Sequence, residues 1–318
     1  MRELIKNELQ TVVRQAAKRM LPHKLLIYLR ERHLKARRRS SVNARTHHTL
    51  SDIKRQLSEI GIDRERDIFV HSSLGQIGIV EGGASGVLDC LASIVSPSVN
   101  ILMPAYPFVG SMQAWMEDSA PFDVLLTPSR MGALTECFRT TEGAGRSCHP
   151  THSVTVLGPR RDEYISRHHL SPTPCGPYSP FKMLFENKGQ ILCLGSGIGK
   201  ITAYHLIEDL VDFPLQVYLN KLMSKNVVFP DRSTHLISTK VGDPRLSPWR
   251  IDNFKPKQIE FLGYLRSAGV VREARIGNAI CHLLDVEALV NLQKKLLEQK
   301  ITIYYRPKLR LLSSFPAR

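Results

Sequence analysis

Apolar residues recur every three or four positions through Leu4, Ile5, Leu9, Val12, Val13, Ala16 and Met20, a period that predicts an N-terminal helix. Pro22 interrupts it. A second short helix is predicted from about Lys24 to Arg39, with Leu25, Leu26, Leu29 and Leu34 along one side. A third is expected to open at Ser51, a hydroxyl residue suited to capping, and to run through Leu57 and Ile60 to Gly61. The pattern then changes. Ile68-Phe69-Val70-His71 is a short apolar run that reads as a buried strand, as do Ile101–Pro104, Val154–Leu157 and Ile191–Leu194. Helical spacing returns at Val87–Val95, Met131–Arg139, Arg161–His168, Phe181–Asn187 and Thr202–Leu210, and again at Gln258–Leu265 and Val286–Glu298. Strands alternating with helices predict an α/β fold, a mixed sheet layered between helices. The expected organisation is a helical extension over 1–50, one domain over 51–300 and a tail over 301–318.

Charge separates the extension from the rest. The chain of 318 residues carries 44 Lys and Arg against 29 Asp and Glu, a net charge of +15. Residues 1–50 hold 13 basic and three acidic residues, so most of the surplus lies there and the body is only mildly basic. Such a segment suits an anionic membrane surface, nucleic acid, or packing on the body as a decorated helix. It has no aromatic interleaving or base-reading motif, so nucleic acid is the weakest of the three.

Composition excludes several classes. With 42% hydrophobic and 23% charged residues the chain is neither mainly disordered nor collagen-like. Its six cysteines stand apart with no CxxC pair, which predicts reduced thiols in a cytosolic setting. The uncharged run from Cys90 to Met116 is interrupted by Pro97, Pro104 and Pro107, so it reads as helix end, turn, strand and loop rather than a membrane span. No signal-peptide pattern is found at the start. A cytoplasmic protein is expected, one that the basic segment could bring to the inner face of the membrane.

Familiar chemical signatures fail on spacing. In Leu194-Gly195-Ser196-Gly197-Ile198-Gly199-Lys200 the glycines alternate, Leu194 stands where a phosphate loop needs glycine, and Ile201 where it needs Ser or Thr. Cys148, His149 and His152 crowd together, but no second ligand pair at zinc spacing accompanies them, and no metal is expected. What remains are polar clusters beside predicted strands and helices: His71-Ser72-Ser73 with Gly82-Gly83; Thr127-Pro128-Ser129-Arg130-Met131-Gly132; Arg146-Ser147-Cys148-His149-Pro150 with His152-Ser153; His168-His169 with Gly176 and Ser179-Pro180; and Thr202…His205…Glu208, whose last two residues share a helix face. Ser129 is expected to cap the helix that follows it.

In this order, and with Met103-Pro104, Phe122-Asp123, Gly158-Pro159 and Ile276-Gly277-Asn278-Ala279, the clusters resemble the antibiotic N-acetyltransferase family, best known for the aminoglycoside 3-N-acetyltransferases. The resemblance spans roughly 51–290. It implies a three-layer α/β/α sandwich distinct from the GNAT fold, acetyl-CoA as cosubstrate, and transfer of an acetyl group to an amine of an amino sugar. It implies that His71, Ser72 and Ser73 together with Ser129, Arg130, Met131 and Gly132 hold the coenzyme. It further implies that His169, ten residues before Ser179, is the catalytic base and Glu208 its acidic companion. His168, His149, His152, His71 and His205 compete for the same role. The chemistry suits these residue types: an amine attacking a thioester loses a proton, histidine titrates near neutrality, and a carboxylate on the other ring nitrogen fixes its tautomer. Direct transfer is expected, without an acyl group on Cys148 or Cys175.

The acceptor is expected to be an aminoglycoside or a glycan- or nucleotide-linked amino sugar, with Glu117, Asp118, Asp123 and Asp212 as candidate acids on the acceptor side. The alternative is a non-catalytic protein of the same fold that binds an anionic membrane or nucleic acid through its basic segment.

Overall fold

The computed structural model describes residues 2–20 and 46–306. The helix expected from Lys24 to Arg39 and residues 307–318 of the expected tail lie outside the described residues. In chain order the strands are β1 (His47–His48), β2 (Ile68–Ser72), β3 (Ile79–Val80), β4 (Ile101–Pro104), β5 (Phe122–Asp123), β6 (Gly145–Arg146), β7 (Val154–Leu157), β8 (Gln190–Leu194), β9 (Tyr218–Val228), β10 (Thr234–Gly242), β11 (Val271–Ile276) and β12 (Ala279–Asp285). The helices used below are α1 (Arg2–Met20), α2 (Leu50–Glu59), α3 (Gly83–Ile94), α4 (Ala133–Arg139), α5 (Pro180–Glu186), α6 (Leu206–Leu210), α7 (Lys255–Ser267) and α8 (Val286–Glu298).

Seven strands form the central sheet in the order β11-β12-β8-β2-β4-β7-β6. The middle pairs, β8 with β2 and β2 with β4, are parallel, and the outer pairs are antiparallel. Because successive side chains on a strand face opposite ways, each inner strand feeds two cores. Ile68 and Val70, Ile101 and Met103, Leu192 and Leu194, and Cys281 and Leu283 pack against α2, α3 and α4 through Ile53, Leu57, Val87, Leu91, Leu134 and Phe138. Phe69, Leu102, Ile191, Cys193 and Leu284 face the opposite way, toward Phe181, Leu184, Phe261, Leu265, Leu289 and Val290 on α5, α7 and α8. The result is the three-layer α/β/α arrangement with a mixed sheet.

The buried apolar runs predicted as strands became β2, β4, β7 and β8, while two hairpins were not foreseen. β9 and β10 form a long antiparallel pair that buries Met223, Val227, Ile237 and Val241, but with exceptions to the usual polarity: Lys225 and Thr239 are buried, and Leu222 and Leu236 are exposed. The Lys225 ammonium is accommodated by donating to the carbonyls of Trp115 and Asp118. β11 and β12 join at Gly277-Asn278, where a side chain on Gly277 would lie 2.4 Å from the Ile77 carbonyl oxygen, so only glycine fits. Two caps also moved. Thr49 rather than Ser51 caps α2, accepting from the Asp52 N–H at 3.1 Å, and α4 begins after Gly132 rather than at Ser129.

Both ends of the described chain are tied to the body. Ile303 and Tyr304, expected in the tail, are buried, and Tyr305 donates from its hydroxyl to the buried Glu8 of α1 at 2.5 Å. Among the described residues no helix is long and apolar enough to cross a membrane. The uncharged run from Cys90 to Met116 is divided among the end of α3, β4 and a short helix, Met112–Glu117.

Candidate active site

The parallel strands β8, β2 and β4 end side by side, and their chain connections lie on opposite faces of the sheet: α3 joins β2 to β4 on one face, and α5 leads into β8 on the other. In sheets of this kind the carboxyl ends of the strands at such a reversal leave a crevice open to ligands. Three loops leave these ends and are bound to one another. The Ser73 N–H donates to the Leu194 carbonyl at 2.9 Å, and the Ser196 hydroxyl to the His71 carbonyl at 3.2 Å. The Tyr106 and Thr202 hydroxyls are hydrogen-bonded at 2.5 Å, and the Arg130 N–H donates to the Tyr106 carbonyl at 2.8 Å. This brings the 129–132 loop to the same rim as the loops after β2 and β8.

Beyond Thr202 the backbone makes a single 3-10 turn, Thr202–His205, and enters α6, which places His205 at the helix start and Glu208 one turn on. The His205 Nδ1 and Glu208 Oε1 are 2.7 Å apart; the Glu208 side chain is 1% exposed and that of His205 18%. The Tyr304 hydroxyl donates to the same carboxylate oxygen at 2.7 Å. A carboxylate on Nδ1 fixes the proton there and leaves Nε2 as the acceptor. Within the described chain, Nε2 of His205 makes no hydrogen bond. The nearby Arg250 guanidinium is paired with Asp252, from Nε to Oδ1 at 2.6 Å.

The other histidines are arranged differently. His168 and His149 are wholly buried and stacked, with ring centroids 4.6 Å apart. His168 takes the Ser147 hydroxyl on Nδ1 at 2.8 Å and donates from Nε2 to the Pro174 carbonyl at 3.1 Å. On His149, Nδ1 accepts from the Thr151 and His152 N–H groups, and Nε2 bonds to the Thr239 hydroxyl. Burial pushes the His168 imidazole down to about 3 and holds His149 well below its ordinary value, so both remain neutral. His152 lies with its ring 4.5 Å from that of Tyr106, and burial lowers it too, with His205 and Arg250 adding repulsion.

His169 is not beside Glu208. Its ring meets Phe229 edge-on at 5.1 Å, near His235 at the tip of the β9–β10 hairpin, and its Nδ1 is buried without a hydrogen-bond partner. Burial lowers its pKa, and His235 lowers it further. The pairing of His169 with Glu208 expected from the sequence is therefore replaced in the structure by the pairing of His205 with Glu208, which the spacing of three on one helix had already marked.

The remaining expected residues divide between framework and rim. His71 is buried, pushed down to about 3 by desolvation, and its Nε2 faces the Thr202 N–H at 3.4 Å. Ser129 is also framework: its N–H donates to Glu136 at 2.7 Å, and its hydroxyl accepts from the Met131 N–H. Ser72, Ser73 and Arg130 stand at the rim, and among the described residues their side chains have no hydrogen-bond or ion-pair partner. Met131 is half-buried against the core. Gly132 has φ +126, and a side chain there would meet no atom within 4 Å, so the backbone conformation rather than space calls for glycine. This donor set, a guanidinium and two hydroxyls without partners among the described residues at the carboxyl ends of the parallel strands, fits a polyanionic coenzyme. The acids expected on the acceptor side are less available. Asp123 is paired with Arg232 at 2.8 Å and bound by the Leu125 and Leu126 N–H groups, Asp118 accepts from the Ala120 N–H, and Glu117 from Gln113. Asp212 lies in the turn after α6 and is also engaged. Among the described residues no group of three or more His, Cys, Asp or Glu is placed to hold a metal ion.

Residues 69–298 match the family described as Aminoglycoside 3-N-acetyltransferase. The chain belongs to that family. Among its relatives, aminoglycoside N(3)-acetyltransferase III of a Salmonella species is 28% identical over 270 residues, covering 79% of this chain and 92% of the relative. Aminoglycoside N(3)-acetyltransferase IX of Micromonospora chalcea is 26% identical over 272 residues, covering 80% and 94%. Of the solved structures, AAC-IIIb in a binary complex with CoASH superposes with a TM-score of 0.66 at 24% identity, covering 82% of this chain and all of that one. Aminoglycoside acetyltransferase AAC(3)-Xa gives 0.69 at 23%, covering 80% and 94%. These similarities establish the fold as that of the family. Tyr304, which touches the candidate site, and α1, which reaches it through Tyr305 and Tyr304, lie outside the matched span, and nothing in their sequence context marked a link to the site.

Proposed function

We propose that the protein acetylates an amine of an amino sugar with His205 as general base and Glu208 as its companion, in place of the His169 and Glu208 pair expected from sequence. The enzyme is an acyltransferase that uses acetyl-CoA. When bound, the coenzyme supplies an acetyl group activated as a thioester. Arg130, Ser72 and Ser73 bind it at the rim. As the C–N bond forms and the thioester C–S bond breaks, His205 Nε2 takes the proton that the acceptor nitrogen loses and the sulfur leaves as CoA thiol with that proton, while Glu208 holds the other ring nitrogen protonated and stabilises the imidazolium that forms in between. The observation that carries this reading is the 2.7 Å contact between a partly exposed imidazole and a buried carboxylate just beyond the loop that follows β8. Direct transfer is favoured over a cysteine-bound acetyl: burial pushes the Cys148 thiol up to about 12 and Cys175 well above its ordinary value, so neither supplies a thiolate near neutrality.

The acceptor is an amino sugar, either an aminoglycoside or one carried on a glycan or nucleotide. Thiol release from acetyl-CoA across a panel of both, with wild type, His205→Ala and His169→Ala side by side, tests the base and the acceptor together. Loss in His169→Ala with retention in His205→Ala would return the role to His169.

A second reading concerns address. α1 exposes Ile5, Leu9 and Val13 at four-residue spacing within the strongly basic N-terminal segment, which supports attachment to an anionic membrane surface. Cosedimentation with phosphatidylserine vesicles, and its loss in Leu9→Glu, tests that reading; equal sedimentation of the two proteins would oppose it.

A further inference from the structure

The catalytic carboxylate is held by a part of the chain that the family match does not include. The segment after α8 runs beside residues 249–251: the Ile251 N–H donates to the Ile303 carbonyl at 2.9 Å and the Tyr305 N–H to the Trp249 carbonyl at 2.8 Å. In this extended stretch, neighbouring side chains point opposite ways. Tyr304 turns inward and donates to Glu208 Oε1, the oxygen that also contacts His205. Tyr305 turns outward, stacks on Phe254 with ring centroids 4.6 Å apart, and donates to Glu8 of α1. Glu8 is 1% exposed although it belongs to a surface helix, so α1 is docked at this point.

We infer that α1 and the C-terminal segment form a strut in which Tyr304 is a positioning residue, setting the orientation and basicity of the His205–Glu208 pair, with Tyr305 and Glu8 locking it in place. The inference rests on His205 being the base. Burial, reinforced by Glu208, raises the Tyr304 phenol well above its ordinary value, so it remains a donor at any working pH. A donor on the carboxylate withdraws part of its negative charge. Without that donor, the Glu208 carboxylate keeps more of its negative charge and holds the His205 Nδ1–H more strongly, while Arg250, Asp252, His152 and Asp209, the other titratable groups facing the pair, are unchanged.

The test is the pH profile of full-length Tyr304→Phe, which keeps the ring and removes the hydroxyl. The acid limb of kcat/KM should move up by about half to one pH unit, and kcat near neutrality should fall by about 3–10-fold. The KM for acetyl-CoA should stay within about twofold, because uniform binding is untouched. Full-length Glu8→Leu should shift the limb in the same direction by less, and Glu8→Gln, which still offers an acceptor oxygen, should restore the wild-type profile. A folded Tyr304→Phe enzyme with the wild-type limb would overturn the role of Tyr304, and an unshifted Glu8→Leu enzyme would overturn the role of α1. If Tyr304→Phe does not fold, Tyr305→Phe, which removes the same hydrogen bond as Glu8→Leu, should give the same smaller shift, and a folded Tyr305→Phe enzyme with the wild-type limb would overturn the strut. His205→Ala separates the two levels: activity retained there removes the base on which the strut acts, whereas activity lost there with unshifted Tyr304→Phe removes the strut alone.

Discussion

Two histidine groupings lie within one region of this molecule, and they differ in what their ring nitrogens do. In the His149–His168 stack, all four nitrogens bond to hydroxyls, carbonyls or N–H groups of the chain, and both rings are buried. In the His205–Glu208 pair, one nitrogen is held by a buried carboxylate, and the other makes no bond within the described chain. A saturated imidazole is a framework part that links loops. An imidazole oriented on one side and open on the other can exchange a proton with a ligand.

The comparison is broken or sharpened most severely by removing each ring. His205→Ala should lower kcat/KM by about 10²–10⁴-fold while leaving the thermal midpoint near wild type. His168→Ala should do the reverse, costing stability first, because each buried partner it leaves unsatisfied costs about 1–3 kcal/mol. A thermal melt and a thiol-release assay on both variants check this, and a stable but inactive His168→Ala enzyme would reverse the assignment. Glu208→Gln should fall short of His205→Ala, with an activity loss of about 10²-fold, since the ring remains but its tautomer is no longer enforced.

Acid stability separates the groupings at the next level. His71 and His168 are each pushed down to about 3 by burial. Their unfolded counterparts titrate near 6.5, so between those values the unfolded chain binds more protons. Their contribution is complete above about pH 6.5 and is lost as pH falls toward 3, by about 1.4 kcal/mol per pH unit for each group. Urea midpoints from pH 7.5 to 5 should show this decline, and His168→Gln should flatten it; an unchanged slope would mean that the ring is already charged in the folded state.

The sequence foretold the interior better than the rim. β2, β4, β7 and β8 are apolar runs buried on both faces, a pattern with few alternative readings. The β9–β10 hairpin has a weaker signature because Lys225 and Thr239 lie inside and Leu222 and Leu236 outside, which interrupts the alternation that identifies a strand. The site was legible as a set of loops, and Thr202…His205…Glu208 was visible as a helical pair. Choosing among six histidines, however, depends on which ring nitrogens are already satisfied, a property of contacts between distant segments. Tyr304 had no local signature at all, since its partner is 96 residues away.

At the rim the expected effects are smaller. Arg130→Ala should raise the KM for acetyl-CoA by about tenfold with kcat little changed, the pattern of lost uniform binding. Gly132→Ala should cost about 1–3 kcal/mol through its backbone alone, because φ is +126 and the added methyl meets nothing within 4 Å. A melting curve measures that directly, and a wild-type midpoint would show that the loop relaxes without cost.

The decisive measurement is kcat/KM for His205→Ala and His169→Ala, each in a protein shown to be folded and assayed with the same amino-sugar acceptor. A loss of at least about 10²-fold in His205→Ala, with His169→Ala within about tenfold of wild type, is the predicted result. An active His205→Ala enzyme beside an inactive His169→Ala enzyme would contradict it.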